Sequence, residues 1–342
     1  MKSVVTFGEI MLRLKSPQHE RFFQSPLLEA TFGGGEANVA VSLSLLGDSA
    51  RFVTALPDNA LGDGAVAEVR KYGVDVSSIK RTKQGRVGIY FIENGANQRS
   101  SKVVYDRDAS SICLAGPKDF DWEAILADAG WFHVTGITPA LSQSAADAAL
   151  EAMRTARRLG VTVSMDLNFR KKLWNYGKKA PEVMRELAKF VDVMVANEED
   201  IQMCLGIEAD VDVTKGELSD AVYEQLIGKV RRMFPQVTHV AITLRESLSA
   251  DRNGWRAVMS GKNGFFSSRK YAIDDIIDRV GGGDSFSAGL IYGLRHYGEA
   301  QALEFAVAAS CLKHSVPGDF NLTSRSEVEA LLKGDGSGRV QR

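Results

Sequence analysis

The chain has 342 residues, of which 44% are hydrophobic and 25% charged, the usage of an ordinary globular protein with a large core. Lys and Arg total 42 against 43 Asp and Glu, and this net charge of -1 carries no sign of a nucleic-acid or anionic-membrane partner. Three separated cysteines exclude a disulfide framework, and five histidines without a His-x-x-x-His pair disfavour a zinc site. Because no apolar run reaches membrane-spanning length and the first residues lack an apolar signal segment, we expect a soluble, cytoplasmic protein.

Short apolar strands alternate with helical segments along most of the chain. A strand is predicted at residues 4–7, a helix then opens at a glycine-rich turn and ends at Gly47, and a strand follows at 51–56. Later strands are predicted at 161–165, 191–196, 239–244 and 255–259, and later helices at 142–160, 220–233, 285–297, 299–314 and after a capping box at Ser324 and Glu327. This alternation predicts an α/β fold with a mostly parallel central sheet and helices on both faces.

Two stretches interrupt this pattern. Residues 11–31 have little helical periodicity, and residues 86–105 alternate in the manner of a hairpin with a turn at Asn94-Gly95. Together they predict a small β lid, taken as residues 11–33 and 86–111, over the carboxyl edge of the main sheet. The glycine-rich end of the chain, residues 333–342, is predicted to be a flexible tail.

The most distinctive segment is Asp-Arg-Val-Gly-Gly-Gly-Asp at residues 278–284. Gly281, Gly282 and Gly283 precede a helix, where glycines leave backbone N–H groups accessible and the helix dipole attracts an anion. Asp284 would stand beside that anion site. It either stabilises the helix N-terminus or takes a proton from a hydroxyl that attacks a phosphoryl group.

Other nucleotide motifs are missing from the sequence. No Gly-x-x-x-x-Gly-Lys-Ser/Thr segment is found, which excludes a P-loop enzyme. Residues 62–67 fit the dinucleotide fingerprint only superficially, because four residues separate them from the preceding strand.

Residues 278–284 resemble the second signature of the ribokinase-like (PfkB) carbohydrate kinases, with Arg279 in place of the usual Thr. Gly33-Gly34-Gly35-Glu-Ala-Asn38 resembles the first, sugar-binding signature, and residues 56–63 and 72–75 also match in order and spacing, so the resemblance covers nearly the whole chain. It implies a ribokinase-like domain with a β lid and ATP-dependent transfer to a sugar hydroxyl. Asp284 would be the base, and the glycine turn with Gly281, Gly282 and Gly283 would be the anion hole.

Further positions follow from the same resemblance. Asn197-Glu-Glu199-Asp200 stands where the family has a motif linked to Mg²⁺ and phosphate, so Glu199 or Asp200 would orient a metal-bound water. A charged helix start is the alternative interpretation of these acids. The ATP site would be lined by Asn168, Asn197, Thr243, Arg245 and Ser247, although residues 243–249 lack the family's usual glycines.

Two segments bear on the substrate. Tyr105-Asp-Arg107 and Asp166-Leu-Asn168-Phe-Arg170 resemble those of 2-keto-3-deoxygluconate kinases within the family. An acid sugar requires a cation, and the arginine fork matches a carboxylate. Arg170 follows a strand end, where α/β ligands bind. Alternatively, these arginines pair with Asp106, Asp108 or Asp166 on the surface.

Three more residues are assigned to the substrate. Tyr90 and Tyr105 of the lid hairpin could donate hydrogen bonds to the keto acid, or could simply pack across the strands. Asp319 could reach the substrate from the C-terminal side, or could be a turn residue.

The sequence thus predicts one ribokinase-like domain over residues 1–342. It would be a phosphotransferase that uses ATP and Mg²⁺ to phosphorylate the 6-hydroxyl of 2-keto-3-deoxygluconate. A neutral sugar such as fructose, another deoxy aldonate, or a sugar-acid-binding regulator without turnover remain as alternatives. We expect no nucleic-acid or membrane partner, and a homo-oligomer formed through the lid, because exposed strand edges tend to be covered by pairing.

Overall fold

The computed structural model describes residues 1–208 and 219–334. Within these residues the strands are β1 (Ser3–Phe7), β2 (Met11–Lys15), β3 (Glu29–Gly33), β4 (Ala50–Val53), β5 (Ala55–Pro57), β6 (Lys80–Thr82), β7 (Gly88–Glu93), β8 (Lys102–Asp106), β9 (Ala129–Thr135), β10 (Thr162–Asp166), β11 (Val193–Ala196), β12 (His239–Ser247), β13 (Asn253–Ser260), β14 (Phe265–Ser267) and β15 (Tyr271–Ile273).

The helices are α1 (Gly35–Leu46), α2 (Ala60–Arg70), α3 (Ser111–Leu114), α4 (Trp122–Leu126), α5 (Ile137–Leu141), α6 (Gln143–Arg158), α7 (Ala180–Ala188), α8 (Glu198–Leu205), α9 (Asp220–Met233), α10 (Gly282–His296), α11 (Glu299–Lys313) and α12 (Arg325–Leu332). A short 3₁₀ turn lies at Pro117–Asp119. None of the described helices is long and apolar enough to cross a membrane.

The main sheet has the strand order β14-β13-β12-β11-β10-β9-β1-β4, with β15 also paired to β13. Pairing is parallel from β12 through β4 and antiparallel among β12, β13, β14 and β15. The carboxyl ends of the parallel strands therefore meet along one edge, where ligands of open α/β sheets bind.

Both faces of this sheet are buried. Val5 and Met194 belong to an apolar cluster with helices α6–α9, whereas their neighbours Val4 and Val195 belong to a second cluster with α1, α10 and α11. Side chains alternate between faces along a strand, so helices on both sides require near-continuous apolar strands. The predicted α/β class, with a mostly parallel sheet between two helical layers, is confirmed.

The predicted lid strands form a separate four-stranded sheet of order β3-β2-β7-β8. All four strands fall within residues 11–33 and 86–111, and β7 and β8 make the expected antiparallel hairpin, joined by residues 94–101. Parallel pairing of β2 with β7 joins the two stretches. Of the predicted tail, residues 335–342 lie outside the described residues.

Several predicted elements have different boundaries, and two of these differences have a clear physical reason. Residues 51–56 are two strands, because β5 leaves the main sheet and pairs with β6, with Leu56 opposite Arg81. Helix α10 starts at Gly282 instead of residue 285, since Gly281 takes the left-handed conformation (φ 83°) of a turn and the next two glycines are already helical. Asp284 therefore lies in the first turn of α10.

Candidate active site

A cavity of about 540 Å³ lies between the carboxyl edge of the main sheet and the lid. The predicted residues that line it are Gly34, Gly35, Asn38, Tyr90, Tyr105, Arg107, Asn168, Arg170, Asn197, Glu199, Thr243, Arg245, Ser247, Gly281, Gly282, Gly283, Asp284 and Asp319. Residues from both ends of the chain thus meet in one place. Two predicted residues, Gly33 and Asp200, are not part of the lining.

The Asp284 carboxylate is bound to the first glycine motif through Asn38. Asn38 Nδ2 donates to Asp284 Oδ2 at 2.7 Å, and Asn38 Oδ1 accepts from the Gly34 amide at 3.1 Å. Burial raises the pKa of Asp284 to about 6, and the hydrogen bond from Asn38 opposes that rise. At neutral pH the carboxylate is ionised and can accept a proton.

The glycine turn presents accessible amides, with one exception. The Gly282 amide donates to the Arg279 carbonyl at 3.2 Å, which corrects the expectation that Gly281, Gly282 and Gly283 all leave their N–H groups free. The amides of Gly283 and Asp284 have no acceptor among the described residues. A Cβ on Gly281 would collide with the Asp319 carbonyl, so only glycine fits this left-handed position.

Asp319 is fixed by two side chains from the lid. Its Oδ1 accepts from Arg13 Nη1 at 2.6 Å and from the Tyr90 hydroxyl. Arg13 also pairs with Asp278, so a fully buried arginine joins β2 to the segment before the glycine turn. Gly33 lies behind Asp319, and a Cβ there would collide with the carboxylate. Gly33 therefore allows close packing instead of lining the cavity.

Arg107 forms a buried ion pair with Glu9, which is located just after β1. Its Nε donates to Glu9 Oε2 at 2.8 Å, and Nη2 donates to the same oxygen. The alternative of a surface pair with Asp106 or Asp108 is wrong for this residue, because Arg86 binds Asp106 and Arg107 faces inward. Arg107 still borders the cavity.

Arg170 has no carboxylate at ion-pair distance among the described residues. It follows β10, is exposed, and donates only to the adjacent Phe169 carbonyl at 2.9 Å. The expected alternative of a surface pair with Asp166 is therefore not formed. The rings of Tyr90 and Tyr105 lie 6.0 Å apart across the hairpin, so the two tyrosines do pack against each other. Tyr90 is buried, whereas Tyr105 is 41% exposed.

The acidic residues at the start of α8 divide into two roles. Asp200 caps the helix: its carboxylate accepts from the Asn197 amide at 3.2 Å and the Phe169 amide at 2.9 Å. Burial raises the pKa of Asp200 to about 6. Glu199 instead borders the cavity. Among the described residues, no group of three or more His, Cys, Asp or Glu side chains is arranged to hold a metal ion.

Several lining residues were missed in the assignment of site residues. They are Met11, Val103, Ile137, Asp166, Glu198, Trp255, Arg279 and Val280. Asp166 ends β10 and accepts from the Asn168 amide at 3.1 Å, and burial raises its pKa well above the ordinary value. Its position directly after an apolar strand, in the segment that contains Asn168 and Arg170, was the available signal. Trp255 has a buried indole N–H without a partner among the described residues.

Comparisons with known proteins agree with this geometry. The model of the pfkB family carbohydrate kinases matches residues 1–324. A 2-dehydro-3-deoxygalactonokinase from Haloferax volcanii is 33% identical over 98% of this chain and 98% of its own length. The solved 2-dehydro-3-deoxygluconokinase of Thermotoga maritima is 47% identical, with a TM-score of 0.91 over 97% of this chain and 98% of that one.

A more distant structure shares the fold alone. It is an Escherichia coli protein named as a candidate ribokinase II and solved with ATP and Mg²⁺, which is 17% identical with a TM-score of 0.77 over 98% of this chain and 100% of that one. The family match, the identities and the joined glycine motifs lead to one assignment. The chain belongs to the pfkB family of carbohydrate kinases.

Proposed function

We propose that the protein transfers the γ-phosphoryl group of ATP to the 6-hydroxyl of 2-dehydro-3-deoxygluconate, the keto acid also called 2-keto-3-deoxygluconate. The observation that carries this proposal is one cavity with three features: the buried Asp284 carboxylate, adjacent amides that have no acceptor among the described residues, and Arg170, which has no acidic partner at ion-pair distance in that part of the chain. A base and an amide turn suit phosphoryl transfer to a hydroxyl, and an unpaired arginine suits an acid sugar. The names of the Thermotoga maritima and Haloferax volcanii relatives support a 2-keto-3-deoxy sugar acid.

In this mechanism Asp284 accepts the proton of the attacking hydroxyl. Asn38 holds the carboxylate by its Oδ2 atom, so the other oxygen is available to the substrate. The amides of Gly283 and Asp284 would donate to the transferred phosphoryl group and stabilise the charge that develops on its oxygens. Because the base and the anion hole belong to the same helix, the position of the proton acceptor relative to the transferred phosphoryl group is fixed.

The residues around the cavity fit ATP and Mg²⁺ as reactants. Thr243, Arg245 and Ser247 of β12 border the same space as Asn168 and Asn197, which leaves room for a nucleotide next to the glycine turn. With no cluster of three metal ligands among the described residues, Mg²⁺ would be held chiefly by phosphate oxygens and water, with Glu199 as the nearby carboxylate. When bound, Mg²⁺ neutralises phosphate charge.

The substrate side of the cavity is formed by the lid and the carboxyl end of β10. Arg170 would bind the sugar carboxylate, and Tyr105 and Asp319 would contact hydroxyl or keto oxygens. Gly34 and Gly35 permit a sugar to approach the start of α1 closely. Arg107, already paired with Glu9, would direct its remaining N–H groups to the acid. Closure of the lid would exclude water and limit ATP hydrolysis.

We also propose a domain organisation, a cellular location and an oligomeric state. The whole chain would be one domain with the lid as its insertion, and the protein would act in the cytoplasm. A homo-oligomer would form through the lid, whose outer strand β8 exposes Val104 at 45% and Tyr105 at 41%. Covering such an edge by a second copy would remove unpaired strand groups from water.

A substrate panel tests the proposed activity. Purified protein with ATP and Mg²⁺ is assayed for ADP release with 2-dehydro-3-deoxygluconate, its galacto epimer, gluconate, fructose and ribose. We expect the highest kcat/KM for a 2-keto-3-deoxy acid. The galacto epimer is the second candidate, because the Haloferax volcanii relative is named for it. A preference for fructose or ribose would refute the acid substrate, and tight binding of the acid without ADP would indicate a regulator.

A further inference from the structure

Helix α11 ends in a lysine that is fully buried. Lys313 is 0% exposed and has no carboxylate at ion-pair distance in the described part of the chain. Its Nζ atom donates instead to two backbone carbonyls, that of Val316 at 2.9 Å and that of Asp278 at 3.4 Å. Lysines are almost never fully buried without a charged partner, because an ammonium is costly to remove from water. The attraction of a helix C-terminus for cations explains only part of this position.

The end of α11 supports the glycine turn that precedes α10. Ser310 Oγ donates to the Gly282 carbonyl at 2.7 Å, and the His314 carbonyl accepts from the Asp278 amide at 3.3 Å. The buried lysine lies between these two contacts in the sequence of α11. It therefore belongs to a group of side chains and carbonyls that holds the backbone at the turn from behind.

The lysine side chain also passes directly behind the turn. A Cβ on Gly281 would lie 3.3 Å from Lys313 Cε, and the same Cβ would collide with the Asp319 carbonyl. Asp278 precedes the turn, and Val316 precedes Asp319 by three residues. One ammonium group thus joins the two segments of the chain that pack against Gly281.

Several charged or titratable groups surround the ammonium of Lys313. They are Arg13 of β2, Asp278, Asp284 of α10, His314 and Asp319. Burial lowers the pKa of Lys313, and the three acids oppose this fall, which favours the ammonium form. Burial lowers the pKa of His314 to about 4, so this imidazole adds no charge at neutral pH.

Asp284 is influenced by the ammonium in return. Burial raises the pKa of Asp284, and the charge of Asp319 raises it further. The hydrogen bond from Asn38 and the charges of Arg170 and Lys313 lower it. The carboxyl of Asp166, at the end of β10, also faces Asp284. The ammonium of Lys313 thus favours the ionised base from a position inside the protein.

We propose that Lys313 is a positioning residue for phosphoryl transfer, which holds the glycine turn from behind and places one fixed positive charge near the N-terminus of α10. The inference rests on the proposed kinase function and adds the group that keeps its anion hole in place. Lys313 does not line the cavity, so it acts through the turn and through Asp284 without touching substrate. A fixed positive charge at this point stabilises negative charge that develops on the transferred group.

Two variants separate the hydrogen bonds of Lys313 from its charge. Lys313→Met keeps an unbranched side chain and removes both, whereas Lys313→Gln removes the charge and retains a donor for a carbonyl. Leu303→Ala is the matched control, because Leu303 is buried on the same helix, carries no charge and does not line the cavity. The pH dependence of kcat is measured with 2-dehydro-3-deoxygluconate and ATP. Hydrogen–deuterium exchange of residues 277–285 is compared with that of residues 148–156 in α6.

We expect kcat at neutral pH to fall by roughly tenfold to a hundredfold in Lys313→Met, the scale of a lost hydrogen bond from a charged group, with little change in either KM. The acidic limb of kcat should move to higher pH in both Lys313 variants, because one positive charge fewer then opposes the burial of Asp284. Exchange of residues 277–285 should accelerate relative to residues 148–156 in Lys313→Met, and less in Lys313→Gln. In Leu303→Ala the limb should stay in place, and any faster exchange should affect both segments equally.

The outcomes separate this role from a structural one and from the kinase activity. An unmoved acidic limb in both Lys313 variants, or exchange that accelerates equally in the two segments of Lys313→Met, would overturn the proposal. The pH profile of Lys313→Gln decides the matter if Lys313→Met does not fold. If the wild type forms no ADP with any sugar while residues 277–285 respond as expected, Lys313 holds the turn and the proposed function fails. If the wild type forms ADP and both Lys313 variants match it in kcat and pH profile, the proposal fails and the kinase activity stands.

Discussion

Asn38 Nδ2 donates to Asp284 Oδ2 at 2.7 Å, which joins two glycine-rich motifs that are 246 residues apart in the chain. The contact connects the N-terminus of α1 to the N-terminus of α10, and these two helices pack side by side on one face of the sheet. It fixes one carboxylate oxygen and lowers the pKa of Asp284 against the effect of burial. Asn38 is therefore expected to set the pH at which the base becomes active.

Replacing Asn38 tests this relationship. In Asn38→Ala the pKa of Asp284 should rise above about 6, because burial then acts without the opposing hydrogen bond. A hydrogen bond to a charged group contributes about 1.5–3 kcal/mol, which corresponds to about one to two pH units. The acidic limb of the kcat profile should shift to higher pH by that amount. An unshifted limb with reduced kcat at every pH would show that Asn38 acts in another way.

The stability of Asp284→Asn should depend on pH in a defined direction. Burial raises the pKa of Asp284 from 3.8 to about 6 in the folded chain, so the folded state binds this proton more tightly than the unfolded state. Ionisation thus destabilises the fold as pH rises from about 4 to about 6, and the full cost persists above pH 6. Asp284→Asn removes it and should be more stable than wild type at pH 7.5, by on the order of 1–3 kcal/mol.

Urea unfolding at pH 7.5 and at pH 4 provides the measurement. The difference between Asp284→Asn and wild type should shrink as the pH falls and be small at pH 4, where the wild-type carboxyl is protonated in the folded state and partly protonated in the unfolded state. A variant that is less stable than wild type at pH 7.5, or a difference independent of pH, would contradict the buried, ionised carboxylate.

Arg170→Ala should impair recognition of the acid group alone. Among the described residues, the Arg170 side chain donates only to a neighbouring carbonyl. Its removal should therefore leave the fold unchanged and raise the KM for 2-dehydro-3-deoxygluconate by roughly tenfold to a hundredfold, the value of a charge-assisted hydrogen bond. The KM for ATP should change little. A neutral analogue in which an alcohol replaces the carboxylate is the control substrate, and its kcat/KM should be equal for both proteins. An unchanged KM for the acid would refute the assignment.

A double substitution is needed to test the role of Arg107, because Arg107 forms a buried ion pair with Glu9. Arg107→Met leaves Glu9 buried and unpaired and should destabilise the fold by about 3–5 kcal/mol. The double variant Glu9→Gln with Arg107→Met removes both charges and should recover most of that loss in urea unfolding. If Arg107 also binds the acid, the KM of the double variant stays raised. Recovery of both stability and KM would restrict Arg107 to a structural role.

Local sequence patterns predicted the sheet and the helical layers of the fold, but not the places where single elements depart from the regular alternation. Strand β11 is apolar throughout because helices cover both faces of the sheet, and that pattern shows directly in its residues. The division of residues 51–56 into β4 and β5 could not be foreseen, since the partner of β5 is β6, a strand of three residues without recognisable periodicity. Helix α10 begins early because glycine is permissive enough to enter its first turn.

In the site, too, residues within short motifs were predicted, whereas contacts between distant parts of the chain were not. Asn38, Asp284 and the glycine turn were predicted because each belongs to a compact motif. The partner of Arg107 was not, because Glu9 is 98 residues away and only the fold brings the two together. Asp106, the last residue of β8, pairs with Arg86, and the buried Arg107 pairs with Glu9, so the acids next to Arg107 in the sequence are not its partners. Arg13 was overlooked for a similar reason, since Asp278 and Asp319 lie 265 and 306 residues further along the chain.

The role of Asp284 as the base of a kinase for a 2-keto-3-deoxy acid is tested by comparing the wild type with a single variant. ADP release with 2-dehydro-3-deoxygluconate, ATP and Mg²⁺ is measured for wild type and for Asp284→Asn, with circular dichroism to verify that both are folded. The wild type should turn over the acid, and kcat should fall by roughly 10²–10⁴ in the variant while the Kd for the acid changes little. A folded Asp284→Asn with turnover near that of wild type would contradict the account.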